Sequence, residues 1–353
     1  MCYGYDGDAA LRESLERKGA SRRGLLRGAA AGAAGAAVLA AGSPALAAKP
    51  GSHPGQGHGH AHGRHKGVPT DLISIQLYTL RAAMTDRAAI LRQFDQLAKF
   101  GYQRVERAGL YAARPPLDPA AYGLDTAAKL KAEFDARGIW ASSSHDGIST
   151  VTGGTDLDPA KLNAKLDDAQ TFRQKYINVP YLNSNSKSEW QRWADQMNTE
   201  ARVARSRGLR YGYHNHAHEF TITFPDGTTP WDVLTSELDP KLVHFEIDLY
   251  WAYTGGVQTG AADPLQFAID VIQSSPLEVL QYHVKDRHGA DAAVLYDGEQ
   301  PGDMADLGLG VIDFPTIFKA HPVEEYIVEN DTPDFSPAAT ANTGFRYLDG
   351  LDF

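Results

Sequence analysis

The chain has 353 residues, a formal net charge of −10 and 42% hydrophobic residues. Its acidic balance and the lack of a basic block argue against a nucleic acid as the partner. Beyond the N-terminal segment described next, no run of 18 or more apolar residues predicts a membrane span. The composition is that of a chain with one large domain or two medium domains.

Residues 1–47 have the three parts of an export signal. Arg22 and Arg23 precede an Ala/Gly-rich apolar run, which ends with the small-residue pattern of Ala45 and Ala47. Paired arginines resemble a twin-arginine signal, so we expect cleavage after Ala47 and export by the twin-arginine machinery to the periplasm or the exterior. A retained membrane anchor is the alternative, which the cleavage pattern disfavours. Cys2, the only cysteine, lies in this segment, so the mature chain has no thiolate or disulfide chemistry.

Residues 48–69 are rich in glycine and histidine and nearly free of large apolar side chains. Such a composition cannot build a core, and it predicts a disordered linker. Its histidines can bind metal ions, but a tether without a defined site is the simpler interpretation. These histidines are His53, His58, His60, His62 and His65. The remaining residues, 70–353, are predicted to form the catalytic domain.

In this domain, short apolar runs alternate with longer amphipathic stretches. Residues Leu72–Leu80 predict a buried strand, and Asp86–Gly101 predict a helix that ends at its glycine. Seven further strands are predicted near Tyr102, Ile139, Tyr176, Leu209, Val243, Val279 and Glu325. Eight strands separated by helices favour an α/β fold of the closed (β/α)8 TIM-barrel type over an open doubly wound sheet. No G-x-G-x-x-G motif follows the first strand, in agreement with that choice.

The ends of the predicted strands carry polar side chains, and active sites of such barrels lie at these ends. From the fifth to the eighth strand they are His214, His216, Glu219, Glu246, Asp248, His283, Lys285, Arg287 and Glu329. Because alternate residues of a strand share a face, His214 and His216 point the same way, as do Glu246 and Asp248. Imidazoles and carboxylates from neighbouring strands favour one divalent metal, Mn²⁺ or Zn²⁺ before Co²⁺ or Mg²⁺.

Six motifs along residues 70–353 resemble the sugar phosphate isomerase/epimerase family of xylose isomerase-like barrels. They are SIQLYTLR, YHNHAHEF, IDLYW, HVKDR, DLGLGVIDF and YIVEND. The resemblance implies a barrel in which Glu, Asp, His and Glu from strands five to eight bind one divalent metal. Asp248, His283 and Glu329 match the last three of these ligands.

The ligand from the fifth strand departs from the family pattern. Many members have a glutamate before asparagine where this chain has His214. We favour His214 as the replacement, with His216 and Glu219 as alternatives. The departure leaves the identity of the metal and the type of reaction open.

The resemblance also implies proton abstraction next to a carbonyl group. Glu219 and His145 are candidates for the base, and Glu329 can act both as ligand and as base. For each site residue the alternative is a structural role, such as an ion pair or a satisfied buried histidine. The residues that we expect to contact substrate are His216, Glu106, Gln76, Trp251, Lys285 and Arg287.

The expected function is therefore that of an isomerase or epimerase, or of a lyase or dehydratase. Phosphorylated sugars are mainly internal metabolites, so export favours an unphosphorylated sugar, a keto-sugar or an oxidised glycoside. One alternative is a carbohydrate-binding barrel without catalysis. Another is a phosphoesterase that resembles the DNA-repair branch of the superfamily, which the acidic charge disfavours. A homodimer is left open.

Overall fold

The computed structural model describes residues 67–108, 123–289 and 304–353. The predicted export signal and most of the predicted linker lie outside these ranges. The last linker residues nevertheless pack against the domain. Val68 is buried, and its backbone N–H donates to the carbonyl oxygen of Leu348 at 2.9 Å. Contact with the domain therefore starts before Thr70, the predicted boundary.

The strands of the described ranges form a barrel and a small separate pair. They are β1 (Ile73–Ile75), β2 (Arg104–Ala108), β3 (Trp140–His145), β4 (Tyr176–Val179), β5 (Arg210–His214), β6 (Val243–Asp248), β7 (Val279–Val284), β8 (Asp286–Arg287), β9 (Met304–Ala305) and β10 (Glu325–Val328). Strands β1 to β7 and β10 form one eight-stranded parallel sheet in the order β1-β10-β7-β6-β5-β4-β3-β2. An isolated parallel bridge between Gln76 and Glu106 joins its two ends. The sheet is thus a nearly closed cylinder, which confirms the predicted TIM barrel.

The helices surround this cylinder, and they alternate with its strands. They are α1 (Arg87–Phe100), α2 (Ala127–Asp135), α3 (Pro159–Phe172), α4 (Lys187–Ser206), α5 (His218–Thr221), α6 (Pro230–Glu237), α7 (Leu249–Gln258), α8 (Pro264–Gln273), α9 (Phe314–Ala320) and α10 (Pro337–Gly350). Short 3-10 helices cover Thr70–Leu72 and Leu77–Ala83. Across the three described ranges, none of the helices has the length and apolar character that a bilayer crossing needs.

Helix α1 shows how local sequence sets these elements. The side chain of Asp86 accepts a hydrogen bond from the backbone N–H of Ala89 at 2.8 Å and caps the start of the helix. Gly101 ends it in the left-handed conformation, with φ of 108°, which glycine adopts at little cost. Phe94 and Leu97 lie on the buried face between these caps. Capping and apolar spacing therefore give the predicted helix.

The first strand is shorter than the sequence predicts. Strand β1 includes only Ile73–Ile75, and a 3-10 helix begins at Leu77. The side-chain oxygen of Gln76 accepts a hydrogen bond from the backbone N–H of Tyr78 at 3.1 Å. This local bond caps the 3-10 helix and turns the chain away from the sheet, although the run remains apolar to Leu80.

Polar side chains, rather than apolar ones alone, cross the interior of the barrel. Glu325 accepts hydrogen bonds from Ser142 and from Gln281, the latter at 3.1 Å. Asn178 Nδ2 lies 2.9 Å from Gln281 Oε1 and 2.7 Å from Glu246 Oε2. All five side chains are fully buried. This hydrogen-bond network lies inside the barrel and orients the polar residue Glu246 of β6.

The pair of β8 and β9 is organised by one carboxylate. Asp286 accepts hydrogen bonds from the backbone N–H groups of Arg287, Gly308, Gly310 and Ile312 at 2.8–3.2 Å. Gly308 has φ of 82°, a conformation that favours glycine. The segment DLGLG therefore forms a tight turn around Asp286.

Candidate active site and metal centre

Three side chains from consecutive strands of the sheet meet at the C-terminal mouth of the barrel. Asp248 ends β6, His283 is the penultimate residue of β7, and Glu329 follows β10. Their potential ligand atoms all lie within 4.8 Å of one another. His283 Nδ1 is 2.8 Å from Glu329 Oε2. We call these three residues the outer group; the sequence predicts each of them as a metal ligand.

The strand-five position is filled by His214, the last residue of β5. Its Nε2 lies 3.8 Å from Asp248 Oδ2. Among the described residues neither atom has a hydrogen-bond partner, although Lys285 Nζ is 3.2 Å from the same Asp248 oxygen. Buried polar atoms are rarely left without a partner, and a cation between them satisfies both. The donors present therefore fit a divalent metal.

A second cluster lies deeper in the barrel. Glu246 precedes Asp248 by two residues on β6, and its Oε1 is close to three imidazoles. The distances are 2.7 Å to His145 Nε2, 3.2 Å to His214 Nδ1 and 3.3 Å to His283 Nε2. We call His145, His214, Glu246 and His283 the inner group; their potential ligand atoms also lie within 4.8 Å of one another.

Glu246 is the site residue that the sequence analysis names among the polar strand ends without assigning it a role. Its spacing from Asp248 on one strand was the available signal, because residues two apart share a face. Asn178, which orients Glu246, carries no comparable signal, since it lies within an otherwise apolar run.

The structure places Glu106 and Gln76, predicted to bind sugar, inside the barrel. Gln76 Nε2 donates to Glu106 Oε2 at 2.8 Å, and Ser143 donates to Glu106 Oε1 at 2.6 Å. His283 Nε2 is 2.6 Å from Glu106 Oε2. Both residues are fully buried. Glu106 therefore contacts the inner group through His283, and Gln76 holds Glu106 in place.

Glu219 lies apart from both groups. Its Oε1 accepts a hydrogen bond from the hydroxyl of Tyr213 at 2.6 Å, and its Oε2 accepts one from the backbone N–H of His216 at 2.9 Å. Both carboxylate oxygens thus hold the chain between β5 and α5. Neither ligand group includes Glu219.

His216 is buried just after β5, beside two aromatic rings. Its ring is 5.1 Å from Trp251 and 4.9 Å from Tyr181, measured between ring centroids. Within the described ranges, no hydrogen-bond partner is found for His216 Nδ1 or Trp251 Nε1. An imidazole and an indole with available nitrogens suit a polar ligand with one apolar face.

A model of the xylose isomerase-like TIM barrel family matches residues 94–322. The chain belongs to this family. No match was found among curated protein sequences.

Solved structures with this fold match about four fifths of the chain. A sugar phosphate isomerase/epimerase from Parabacteroides distasonis has a TM-score of 0.60 and 21% identity, over 80% of this chain and 95% of that one. The IolI protein with a bound zinc atom has a TM-score of 0.57 and 14% identity, over 80% and 99%. The E. coli 3-keto-D-glucoside 4-epimerase YcjR has a TM-score of 0.52 and 13% identity, over 79% and 99%. At these identities the likeness shows the fold alone.

In this xylose isomerase-like barrel, Lys285 provides a positive charge beside the outer group. Its Nζ lies 2.9 Å from Glu329 Oε2, 3.2 Å from Asp248 Oδ2 and 3.0 Å from Asp331 Oδ2. The ammonium group therefore holds carboxylates in place. Arg287, the other cation predicted to bind substrate, is buried in β8.

Burial and neighbouring charges set the protonation states of the side chains at the mouth of the barrel. Burial, followed by the charges of other imidazoles, lowers the pKa of His145 and of His214 well below the ordinary value. Burial alone would lower the pKa of His283 too, but the surrounding carboxylates outweigh it and raise that pKa well above the usual range. Burial raises the pKa of Asp248 to about 6, although Lys285 opposes the shift. His145 and His214 are thus neutral at pH 7 and can act as metal ligands.

Proposed function

We propose that the protein is a divalent-metal-dependent sugar isomerase or epimerase, with elimination as the alternative outcome of the same proton abstraction. The substrate class is an unphosphorylated sugar, keto-sugar or oxidised glycoside. The observation that carries the proposal is the outer group with His214. It combines two carboxylates and two imidazoles, and His214 Nε2, which has no hydrogen-bond partner among the described residues, lies 3.8 Å from Asp248 Oδ2.

In this proposal Asp248, His283 and Glu329 hold the metal, and His214 Nε2 is the ligand from the fifth strand. When bound, the metal polarises the substrate carbonyl and acidifies the neighbouring C–H group. His283 would hold the metal with its outer-facing nitrogen, while its Nε2–H donates to Glu106, which fixes the ring orientation. Mn²⁺ and Zn²⁺ suit this mixed nitrogen and oxygen set.

The contacts point to a base other than those expected from the sequence, namely His216, which the sequence predicts as a substrate contact rather than as the base. Both oxygens of Glu219 accept hydrogen bonds from protein groups, and His145 Nε2 is directed into the barrel at Glu246. His216 Nδ1, in contrast, has no hydrogen-bond partner in the part of the chain that the structure describes, and its ring lies beside Trp251. We therefore propose that His216 Nδ1 accepts the proton while the indole of Trp251 packs against the sugar ring. Glu219 positions His216 through its backbone N–H.

The charges of the mouth agree with a substrate that lacks phosphate. Lys285 is engaged by the carboxylates of Asp248, Glu329 and Asp331. An added phosphate would face these carboxylates at close range, which is unfavourable. The predicted export signal supports the same choice, since we propose that the mature protein acts outside the cytoplasm. Keto-sugars such as 3-ketoglucosides, on which the E. coli neighbour acts, therefore belong in the first screen.

Elemental analysis of the full mature chain, purified without a polyhistidine tag, tests the metal site. The reference protein carries asparagine in place of the linker histidines, so that these cannot contribute metal. We expect bound Mn, Zn or Co that His283→Ala reduces. His321→Ala is the matched control, since His321 bonds to the carbonyl of Val279 at the opposite end of the barrel. No metal in the reference protein, even after reloading, would overturn the proposal and favour a binding barrel.

A further inference from the structure

A side cavity lies next to the proposed active site. Its volume is about 520 Å³, which is within the usual range of small-molecule sites. Its walls come from the segments after β3 and β4 and from helices α3 and α4, and the lining residues include Ile148, Thr150, Lys161, Tyr181, Leu182 and Trp193. Both segments follow the C-terminal ends of their strands. The side cavity is therefore on the same face of the barrel as the proposed metal site.

Tyr181 connects the side cavity with the proposed catalytic residues. Its side chain lines the cavity, and its ring centroid lies 4.9 Å from that of His216, edge to face. The His216 ring in turn lies 5.2 Å from the ring of His214 and 5.1 Å from that of Trp251, measured between centroids. A ligand held at His216 therefore needs to extend past only one aromatic ring to reach the side cavity.

The walls of the side cavity present apolar surface that the core does not cover. Ile148, Leu182 and Trp193 are half-buried. Trp193 packs edge to face against the buried ring of Trp190, with 5.2 Å between the ring centroids, and this contact fixes its orientation. An indole held in this way offers a flat apolar face to the C–H groups of a ligand ring.

Lys161 adds a hydrogen-bond donor to these walls. Its Nζ donates to the carbonyl oxygen of Thr150 at 2.8 Å and to the hydroxyl of Thr152 at 3.0 Å, and the carboxylate of Asp158 lies 4.0 Å away. An ammonium group has three N–H donors, and the side chain is half exposed. The third N–H can therefore donate to a hydroxyl group of a ligand.

The wall that follows β3 is held in place by the protein itself. Lys165 Nζ donates to the carbonyl oxygen of Gly147 at 2.9 Å and to Glu200 Oε2 at 2.6 Å. Glu200 Oε1 accepts a hydrogen bond from the backbone N–H of Ser149 at 2.6 Å, and the carbonyl of Ser149 accepts one from Asp158 at 2.7 Å. A wall that is already ordered lowers the cost of binding a ligand against it.

We infer that the side cavity binds the second sugar ring of a disaccharide whose oxidised ring lies at the metal site. A neutral pyranose has both an apolar face for Trp193 and hydroxyl groups for Lys161. An anion fits less well, because Lys165 is paired with Glu200 and Lys161 lies near Asp158. The inference rests on the proposed function for the position of the first ring, and it narrows the substrate class from sugars to oxidised disaccharides.

Deuterium exchange next to the carbonyl group, followed by proton NMR, tests the side cavity. The Mn²⁺-loaded mature chain is given methyl 3-ketoglucoside or a 3-keto derivative of cellobiose, maltose, sucrose or trehalose. We expect kcat/KM for at least one keto-disaccharide to exceed that for methyl 3-ketoglucoside at least ten-fold. Trp193→Ala should remove this preference and leave exchange with methyl 3-ketoglucoside unchanged. Trp193→Phe, which keeps an aromatic face, should retain most of it.

Trp140→Ala is the matched control. Trp140 is also half-buried, but it starts β3 at the opposite end of the barrel. This variant should keep the preference for the keto-disaccharide. Calorimetric titration of the same five sugars into each protein measures binding without turnover.

The outcomes separate this inference from the proposed function. Exchange with methyl 3-ketoglucoside that is as fast as with every keto-disaccharide would overturn the side cavity and leave the proposed function intact. A preference that Trp193→Ala keeps would overturn it too. Binding of a keto-disaccharide that depends on Trp193, without exchange at any sugar, would support the side cavity and contradict the proposed catalysis. Neither binding nor exchange with any of the five sugars would overturn both.

Discussion

Replacing Lys285 with methionine tests how charge is balanced at the mouth of the barrel. Lys285 is 1% exposed. Its Nζ lies 3.2 Å from Asp248 Oδ2, 2.9 Å from Glu329 Oε2 and 3.0 Å from Asp331 Oδ2. Methionine keeps an apolar stem of similar length and removes the charge. Removing one partner of a buried ion pair costs about 3–5 kcal/mol, and we expect that loss of unfolding free energy in metal-free protein.

A divalent metal at the outer group supplies positive charge that the variant lacks. Metal should therefore stabilise Lys285→Met more than the wild type, by at least about 1.4 kcal/mol, or ten-fold in affinity. Urea unfolding at neutral pH, once with EDTA and once with saturating Mn²⁺, measures how much metal raises the free energy of unfolding of each protein. The comparison requires that the dependence of this free energy on urea concentration has the same slope in both proteins.

The matched control is Lys165→Met, which breaks a buried ion pair elsewhere. Lys165 Nζ lies 2.6 Å from Glu200 Oε2, between α3 and α4. We expect a comparable loss of stability, and the same gain from metal as in the wild type. Equal stabilisation of the wild type and Lys285→Met by metal would refute the argument that Lys285 and the metal share these carboxylates.

Three further predictions concern the fold. Gly212→Ala should lower the free energy of unfolding by about 1–3 kcal/mol in urea, because the added carbon would lie 2.2 Å from Asn178 Oδ1. The control is Gly154→Ala, whose added carbon would make only ordinary van der Waals contacts. Its free energy of unfolding should be within about 0.5 kcal/mol of that of the wild type. Burial lowers the pKa of His244 to about 4, so unfolding takes up a proton and stability falls as the pH drops below about 6.5. Between pH 7 and pH 5 the wild type should lose about 2 kcal/mol more than His244→Gln, and parallel pH profiles would contradict this. Asp86→Ala should cost about 1 kcal/mol through the lost helix cap, and an unchanged melting temperature would exclude that role.

The sequence predicts the fold well because each element carries its own local signal. The apolar runs that end at His145, His214 and Asp248 are strands, and left-handed glycines follow helices α1, α2 and α4. The first run is the exception, since the side chain of Gln76 bonds to the backbone and starts a 3-10 helix. A run of apolar residues shows burial and does not by itself show backbone conformation.

The site is predicted in part, for a physical reason. Asp248, His283 and Glu329 end neighbouring strands, so barrel closure brings them together as expected. The alternation of side chains along one strand shows on which face of the sheet a side chain lies. It does not show which side chain of another strand it contacts across the barrel. That partner depends on strand tilt and register, which explains why the contact between Glu246 and His145 was not foreseen.

Glu219 illustrates a second limit. It lies three residues after His216, which places it near the mouth in any extended chain. Helix α5 begins at His218, however, and turns the carboxylate back to Tyr213 and to the backbone of His216. Its predicted role as base depends on a loop conformation that strand periodicity cannot supply.

Hydrogen exchange at the substrate tests the central claim most directly. The Mn²⁺-loaded protein is incubated in D₂O with fructose or methyl 3-ketoglucoside, and proton NMR follows the carbon next to the carbonyl group. The account predicts metal-dependent deuterium incorporation with at least one such sugar, greatly slowed in His216→Phe, whose ring retains the aromatic packing. Saturable sugar binding to the metal-loaded protein without deuterium incorporation would contradict it and indicate a binding barrel.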